Sequence, residues 1–229
     1  FDIVEYENNI TANSETSVFR MEAVSALTIS DETGTIDETN AYEKIDVVFC
    51  FNNYLSSGLS EWELNCIKSN VIIISEAMFE QSTDIRIYVI DQYGTIITAS
   101  PETNYGNDKY QVRKMVKKIT KKEPENRLLE QQVDVILNSI SMREDAYKLV
   151  LFAGPSCLSG NKYDIWIGEV KESKIHCIVV NPESGPASFN GGIASETDGL
   201  LLNNYISFSD DVLEYLYGYI PHVTYVPYT

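Results

Sequence analysis

The chain has 229 residues, of which 44% are hydrophobic, so it can bury a sizeable core and is not disordered throughout. Its formal net charge of −17 repels nucleic-acid phosphates and anionic lipid surfaces, which excludes nucleic acid as an expected partner. No apolar run approaches the ~20 residues that span a bilayer, so we expect no direct insertion into a membrane.

The first 44 residues form an acidic arm, with ten Asp or Glu against two Lys or Arg. Residues 31–40 are typical of a solvated loop, and residues 17–29 are compatible with one strand. The sequence Asn9-Ile10-Thr11 is a glycosylation sequon, which favours an extracellular or cell-surface location. A cytoplasmic location remains the alternative.

Four cysteines, Cys50, Cys66, Cys157 and Cys177, lie in the chain without C-x-x-C spacing, and there are only two histidines. A structural zinc site is therefore not expected. Buried free thiols and one or two disulfides both stay open as interpretations, because four is an even number.

Along the chain, Ile45–Phe51 is a continuous apolar run that predicts a strand buried on both faces. Ser60 and Glu63 form a capping box, which predicts the start of a helix. Ile85–Ile90 is a second buried strand. The turn at Tyr93-Gly94 leads into a third, antiparallel strand over Thr95–Ala99.

The remaining elements continue this alternation. Helices are predicted at about 107–119 and 126–141, followed by a strand over Leu149–Ala153. The pattern over 163–172 fits a helix or a strand, and we choose a helix because the next parallel strand needs a crossover. The last elements are strands over Ile175–Val180 and Leu200–Tyr205, and a final helix that Ser207 or Ser209 caps and Pro221 ends.

This order predicts an α/β fold of three layers, with a mainly parallel six-stranded sheet, helices on both faces and one antiparallel edge strand. The expected organisation is an acidic N-terminal arm (1–44), one Rossmann-type domain (45–221) and a C-terminal tail or linker (222–229). Further domains in the same chain are compatible with it.

Three stretches resemble the von Willebrand factor A family. The run Ile45–Asn52 is similar to the family's first strand leading into its metal loop. The stretches 193–199 and 207–213 are similar to its last helix-strand-helix passage. The resemblance covers about 45–220 and leaves the acidic arm out.

The family's metal site is a loop written Asp-x-Ser-x-Ser, and this chain departs from it. The loop reads Asn52-Asn53-Tyr54-Leu55-Ser56, so an amide replaces the aspartate and Tyr54 replaces the first serine. The family's threonine would lie within Pro124-Glu125-Asn126, which contains no threonine. The family's second aspartate is replaced by Gly154. Magnesium needs hard oxygen ligands and negative charge, so we expect no metal and no cofactor. A shifted register would make Ser56, Ser57 and Ser60 the hydroxyl ligands, but then no aspartate follows the strand.

The resemblance implies a non-enzymatic module that binds a protein ligand through the loops around the missing metal site. The predicted binding residues are Asn52, Asn53, Tyr54, Ser56, Ser57, Glu125, Asn126, Gly154, Pro155 and Ser156. We favour an adhesion or assembly module from a larger secreted or cell-surface protein, and the alternative is an intracellular scaffold subunit of a large complex. Polar turn residues are also ordinary at strand ends, which competes with any binding role.

Two other chemistries compete with this interpretation. The run Gly154-Pro155-Ser156-Cys157-Leu158 resembles a nucleophile elbow of a serine hydrolase, with His222 as base and Asp198 or Asp210 as acid, but Leu158 would crowd the turn. A Cys157–His176 pair has no feature that marks a lowered thiol pKa. The basic run that includes Arg113, Lys114, Lys117, Lys118, Lys121 and Lys122 is interpreted as a solvated helix face rather than a phosphate or heparin site.

Overall fold

The computed structural model of the chain describes residues 44–53, 59–81, 84–121, 128–154, 163–181 and 189–217. Within these ranges, five strands alternate with six helices. The strands are β1 Lys44–Phe51, β2 Asp84–Ile90, β3 Tyr147–Ala153, β4 Ile175–Val180 and β5 Leu201–Leu202. The helices are α1 Glu61–Gln81, α2 Lys109–Lys117, α3 Leu128–Asn138, α4 Tyr163–Glu172, α5 Phe189–Glu196 and α6 Ser209–Tyr217.

The strands form one sheet in the order β2-β1-β3-β4-β5, and every pair of neighbours is parallel. Ile45 of the central strand lies opposite Ile85 on one side and Tyr147 on the other. The predicted parallel α/β fold is therefore confirmed, as is the helix over 163–172.

The prediction of a sixth, antiparallel strand over Thr95–Ala99 is wrong. Ile96 makes a single antiparallel bridge to Ile90, and Gly106 makes another to Ile87. Two separate segments of the chain, around Ile96 and around Gly106, therefore pair with the outer side of β2. Each makes one bridge, and neither forms a continuous ladder with β2. The turn that starts this segment is held by the Asp91 carboxylate, which accepts hydrogen bonds from the backbone N–H groups of Tyr93 and Thr95 at 2.9 Å.

The last strand is also shorter than predicted, since β5 comprises Leu201–Leu202 rather than Leu200–Tyr205. Asn203 and Asn204 are exposed, and the Asn204 side chain accepts a hydrogen bond from the N–H of Ile206 at 2.8 Å. A side-chain oxygen that binds the backbone two residues on makes a turn, so the chain leaves the sheet here.

Two apolar cores lie on opposite faces of the sheet, which makes the three predicted layers. Successive residues of β1, such as Phe49 and Cys50, point to opposite faces. One core joins the sheet to α1, α2 and α6, and the other joins it to α3, α4 and α5. None of the helices in the described ranges is long and apolar enough to cross a membrane.

The predicted capping box at the start of α1 is confirmed. The N–H of Glu63 donates to the Ser60 hydroxyl at 3.1 Å, and the N–H of Ser60 donates to the Glu63 carboxylate at 2.7 Å. These hydrogen bonds from Ser60 lower the pKa of the Glu63 carboxyl. Two backbone donors at the helix start are thereby satisfied within four residues of chain.

Helix α6 is capped by a side chain from another helix. The Asn70 carbonyl in α1 accepts hydrogen bonds from the N–H groups of Phe208 and Ser209, both at 3.0 Å. Its amide nitrogen donates to the carbonyls of Cys66 and Ile206, both at 2.9 Å. This buried amide therefore replaces the predicted hydroxyl caps as the group that satisfies the start of α6.

A buried ion pair fixes the lower, amino-terminal edge of the sheet. Asp46 of β1 is fully buried, and its carboxylate accepts hydrogen bonds from the Arg143 guanidinium at 2.7 and 3.0 Å. Arg143 also donates to the carbonyl of Asp84 at 3.0 Å. One arginine therefore joins β1, β2 and the segment that leads into β3.

Candidate functional site

The upper, carboxyl-terminal edge of the sheet is where this fold places a ligand. The chain runs outward from β1 to β2 and then returns to β3 on the other side of β1. The two directions separate above β1 and β3, and ligands of open α/β sheets bind in the crevice at such a point. Asn52 and Gly154 are the first residues after these two strands.

Asn52 and Gly154 are in direct contact. The N–H of Asn52 donates to the Ala153 carbonyl at 2.9 Å, and Asn52 is 2% exposed. Gly154 has a φ of +115°, a conformation that disfavours any residue with a side chain. A Cβ added to Gly154 would lie 2.7 Å from the Asn52 carbonyl oxygen and 3.0 Å from the Asn52 Cβ. The strand end that lacks the family's aspartate thus has no room for one.

Asn53 joins the upper end of β2 to the chain beyond α2. Its side-chain oxygen accepts a hydrogen bond from the N–H of Gln92 at 3.3 Å, and its amide nitrogen donates to the Thr120 carbonyl. Asn53 and Gln92 are both fully buried. Asn53 is therefore committed to holding the edge together and has little freedom to contact a ligand.

Gln132 of α3 performs the same task between β1 and β2. Its amide nitrogen donates to the carbonyls of Phe51 at 3.2 Å and Asp91 at 3.0 Å. The side-chain oxygens of Gln132 and Asn52 are both buried, and neither accepts a hydrogen bond from a described residue. Two acceptors at this edge therefore have no donor in the described part of the chain, a costly arrangement for buried polar atoms.

These residues do not fit a magnesium ion of the family's kind. The positions after β1 and β3 hold a neutral amide and a glycine. The carboxylate described at this edge, Asp91, uses one oxygen to hold the turn after β2. The described residues contain no group of three or more His, Cys, Asp or Glu that would hold a metal. Because the described residues aim no carboxylate group into the crevice, they offer little to offset the dehydration of a divalent cation.

The structure brings together three of the predicted binding residues, Asn52, Asn53 and Gly154. The other seven lie outside the described residues: Tyr54, Ser56, Ser57, Glu125, Asn126, Pro155 and Ser156. The same is true of Cys157, His222 and the sequon at Asn9, and of the strand predicted over 17–29.

His176 lies far from the upper edge. It is the second residue of β4 and lies opposite Leu149 of β3. Leu149 precedes Gly154 by five residues, so His176 is near the start of its strand. Its ring stacks on Tyr147 with centroids 4.7 Å apart, and burial lowers the pKa of its imidazole. The geometry is that of a packed residue near the lower edge of the sheet.

Sequence reasoning missed the residues that complete the upper edge, which are Asp91, Gln92, Gln132 and Asn181. Asp91 and Asn181 directly follow buried strands, just as Asn52 does. A polar residue directly after a buried apolar run is therefore a sequence signal for this edge. Gln132 lies within a helix and carries no such signal. Its role depends on where α3 packs.

The parallel α/β fold fits the von Willebrand factor A type of fold. No protein-family model matches the chain, and no curated protein sequence matches it. Solved structures do: an aerotolerance-related membrane protein from Bacteroides fragilis, with multiple mutations to serine, is 11% identical with a TM-score of 0.51. That match covers 74% of this chain and 97% of the other.

Two further structures are similar. The conserved hypothetical protein BatB from Bacteroides thetaiotaomicron has 12% identity and a TM-score of 0.54, covering 74% of this chain and 95% of that one. Proximal thread matrix protein 1 from the mussel byssus has 13% identity and a TM-score of 0.56, covering 76% of this chain and 45% of that one. At such identities these likenesses establish the fold alone.

Proposed function

We propose that this chain is a non-enzymatic protein-interaction module that binds a protein ligand at the upper edge of its sheet without a magnesium ion. The observation that carries this proposal is the replacement of carboxylates by neutral groups at the switch point, Asn52 after β1 and Gly154 after β3. In this interpretation the family's metal site is degenerate, and recognition depends on shape and polar side chains.

The chemistry of the edge favours a ligand that supplies hydrogen-bond donors. The side-chain oxygens of Asn52 and Gln132 are buried acceptors without a donor among the described residues. A donor that reaches either oxygen would remove the cost of an unsatisfied buried acceptor, on the order of 1–3 kcal/mol. The net charge of −17 also attracts a partner with basic side chains, which carry such donors.

A photo-crosslinking experiment tests the location of this surface. A photoreactive residue replaces Thr120, which is exposed and whose carbonyl accepts a hydrogen bond from Asn53 at the upper edge. The control replaces Lys174, which is exposed beside the lower start of β4. We expect a ligand to be trapped from position 120 and not from position 174.

The substitution Asn52→Ala decides whether the trapped ligand uses the proposed site. With a native circular dichroism spectrum, this variant should trap the same ligand from position 120 with a yield at least about fivefold lower, as for the loss of a central contact. Equal trapping at positions 120 and 174, or a yield that does not respond to Asn52→Ala, would contradict the proposal.

The sequon and the cysteines favour different compartments. A secreted or cell-surface adhesion module is our first proposal, by its sequon and by its likeness in fold to a protein described as a membrane protein. An intracellular scaffold subunit is the second, and it is favoured by Cys50, Cys66 and Cys177, which are all free thiols. Mass measurement of the glycan at Asn9 supports the first proposal, whereas four titratable thiols in denatured, unreduced protein support the second.

The proposal of a non-enzymatic role has its own test. A fluorophosphonate probe, which labels activated serines, should leave Ser156 unmodified in the folded chain. Labelling of Ser156 that disappears on His222→Ala would establish the competing serine hydrolase.

A further inference from the structure

The charge of this chain is unevenly distributed. Residues 109–122 contain seven Lys or Arg and no Asp or Glu, which gives a charge of +7 in an otherwise acidic protein. The acidic arm has ten acidic and two basic residues, which gives a charge of −8. Two segments of strong and opposite charge are therefore tethered in one chain.

Helix α2 presents three of these seven positive charges on one side. Val112, Met115 and Val116 are buried against the sheet and α1. Tyr110, Arg113, Lys114 and Lys117 are exposed and follow the spacing of three, four and seven residues that defines one side of a helix. We call these four residues the basic face.

The basic face is not neutralised within the described residues. Arg113 forms an ion pair with Glu76 of α1. Lys114 and Lys117 contact no acidic side chain in the described ranges. Tyr110 is 72% exposed, the highest exposure among the large apolar and aromatic side chains described. An exposed tyrosine between positive charges suits a contact with another polypeptide, because it provides apolar area and one hydroxyl.

The acidic arm is joined to the same sheet on which α2 packs. Its last residue, Lys44, is the first residue of β1, and β1 is next to the edge strand β2. Helix α2 packs on β2 and α1. A tethered segment acts at an effective concentration on the order of millimolar, which gives a weak electrostatic contact an advantage over the same contact made by a free partner.

We propose that the basic face binds the acidic arm of the same chain. Charge complementarity carries the proposal, and the surplus of unpaired lysines on α2 gives it a defined location. The contact is independent of the function proposed for the upper edge. It makes α2 the docking surface for a segment that sequence alone interprets as a solvated arm.

Carbodiimide crosslinking of the full chain tests this proposal, because it joins carboxylates to lysines only where they are in contact. At micromolar protein and low salt, we expect crosslinks in the monomer between residues of the arm and Lys114 or Lys117, and also to the neighbouring Lys109 or Lys118. Their yield should fall roughly fivefold or more at 0.5 M salt, where the Debye length is only about 4–5 Å. Monomer without these crosslinks, or crosslinks found only in a dimer, would overturn it.

Matched variants identify the surface. The variant Arg113→Glu/Lys114→Glu/Lys117→Glu should keep its circular dichroism spectrum and lose the crosslinks between the arm and Lys109 or Lys118. The variant Lys171→Glu/Lys174→Glu reverses exposed charges on the far side of the sheet and should leave the wild-type crosslinks unchanged. Crosslinks that persist in the first variant would contradict the proposal.

Heparin chromatography provides a second, independent measurement. If the arm covers the basic face, neutralising the acidic cluster by Asp31→Asn/Glu32→Gln/Asp37→Asn/Glu38→Gln should expose the lysines and increase retention on heparin. The further change to Glu at Arg113, Lys114 and Lys117 should remove that gain. Retention that does not change when the arm is neutralised, or a gain that survives charge reversal of α2, would contradict an intramolecular contact.

Discussion

At the scale of single residues, Gly154 shows how a backbone conformation can exclude a functional group. Its φ of +115° and its contact with Asn52 leave no space for a Cβ. The backbone conformation itself therefore excludes a carboxylate side chain at this position. A single substitution to aspartate would strain the strand end before it could attract a cation.

The change Gly154→Ala should destabilise the fold by about 2 kcal/mol, because it combines a disfavoured φ with a clash against Asn52. Gly168→Ala is the matched control: Gly168 lies within α4, and an added Cβ meets nothing within 4 Å. That change should stabilise the fold by roughly 0.5–1 kcal/mol through helix propensity. Urea denaturation measures both, and changes of the same sign would contradict this account.

Asp46 is the second residue whose environment decides its role. Asp46→Asn removes the negative charge from a buried pair and leaves the Arg143 guanidinium, whose side chain is 12% exposed, with the half-exposed Asp84 carboxylate as its remaining ionic partner among the described residues. We expect a loss of roughly 3 kcal/mol in the free energy of unfolding. Asp145→Asn is the control, since the Asp145 side chain is 63% exposed and pairs with Lys44 at the surface. An equal loss of unfolding free energy in the two variants would show that the buried pair stabilises the fold no more than the surface pair does.

At the scale of elements, the two helix caps differ in how far their parts are separated in sequence. The capping box of α1 uses residues three apart, whereas Asn70 caps α6 from 138 and 139 positions away. Asn70→Ala removes the side chain that pairs with the N–H groups of Phe208 and Ser209 and with the Ile206 carbonyl, so we expect a loss of about 2–3 kcal/mol. Asn65→Ala, on the exposed side of the same helix, should change little. Both substitutions change helix propensity in the same way, and only Asn70→Ala removes the cap. The difference between their thermal unfolding midpoints therefore measures the contribution of the cap.

The capping box should also be visible in the pH dependence of stability. Hydrogen bonds from Ser60 lower the pKa of Glu63 in the folded state below its ordinary value of 4.5. A depressed folded pKa stabilises the fold above the unfolded pKa, and this contribution is lost as pH falls through the folded pKa. The variant Glu63→Gln should therefore be less stable than wild type by about 0.5 kcal/mol at pH 7.

That difference should shrink as the pH falls below 4.5. Glu61→Gln is the control for the helix dipole, because Glu61 is in the same first turn but makes no capping hydrogen bond. Urea titrations between pH 3 and 7 measure both variants. A constant difference between Glu63→Gln and wild type over this range would contradict the proposed cap.

These elements show what sequence can and cannot predict. Strands β1 to β4 and the capping box are visible because burial on both faces and i,i+3 hydrogen bonding leave local patterns. The antiparallel strand was predicted wrongly because Thr95–Ala99 has the composition of a strand, and the sequence does not show that Gly106 takes part of the same edge. Asp46 with Arg143 and the Gln132 bridge join residues 97 and 81 positions apart, so they depend on tertiary packing.

At the scale of the whole molecule, the sheet order places the ends of β1 and β3 at one crevice, where the sequence supplies neutral groups. The positions of Asn52 and Gly154 at the ends of their strands were predictable, because both residues directly follow buried apolar runs. The sequence did not show that the two residues are in contact, or that the Asn53 side chain is hydrogen-bonded to Gln92 and Thr120 at this edge. In the proposed metal-independent recognition, a net charge of −17 attracts a basic partner without help from a bound cation.

The most direct test of the central claim is a calorimetric titration of the full chain with magnesium and then manganese. We predict no saturable binding up to roughly 1 mM metal, because Asn52 and Gly154 give the crevice no charge to offset dehydration of the ion. One-site binding tighter than roughly 0.1 mM that is lost on Asn52→Ala would show that the upper edge is a working metal site. It would contradict the metal-independent recognition proposed here.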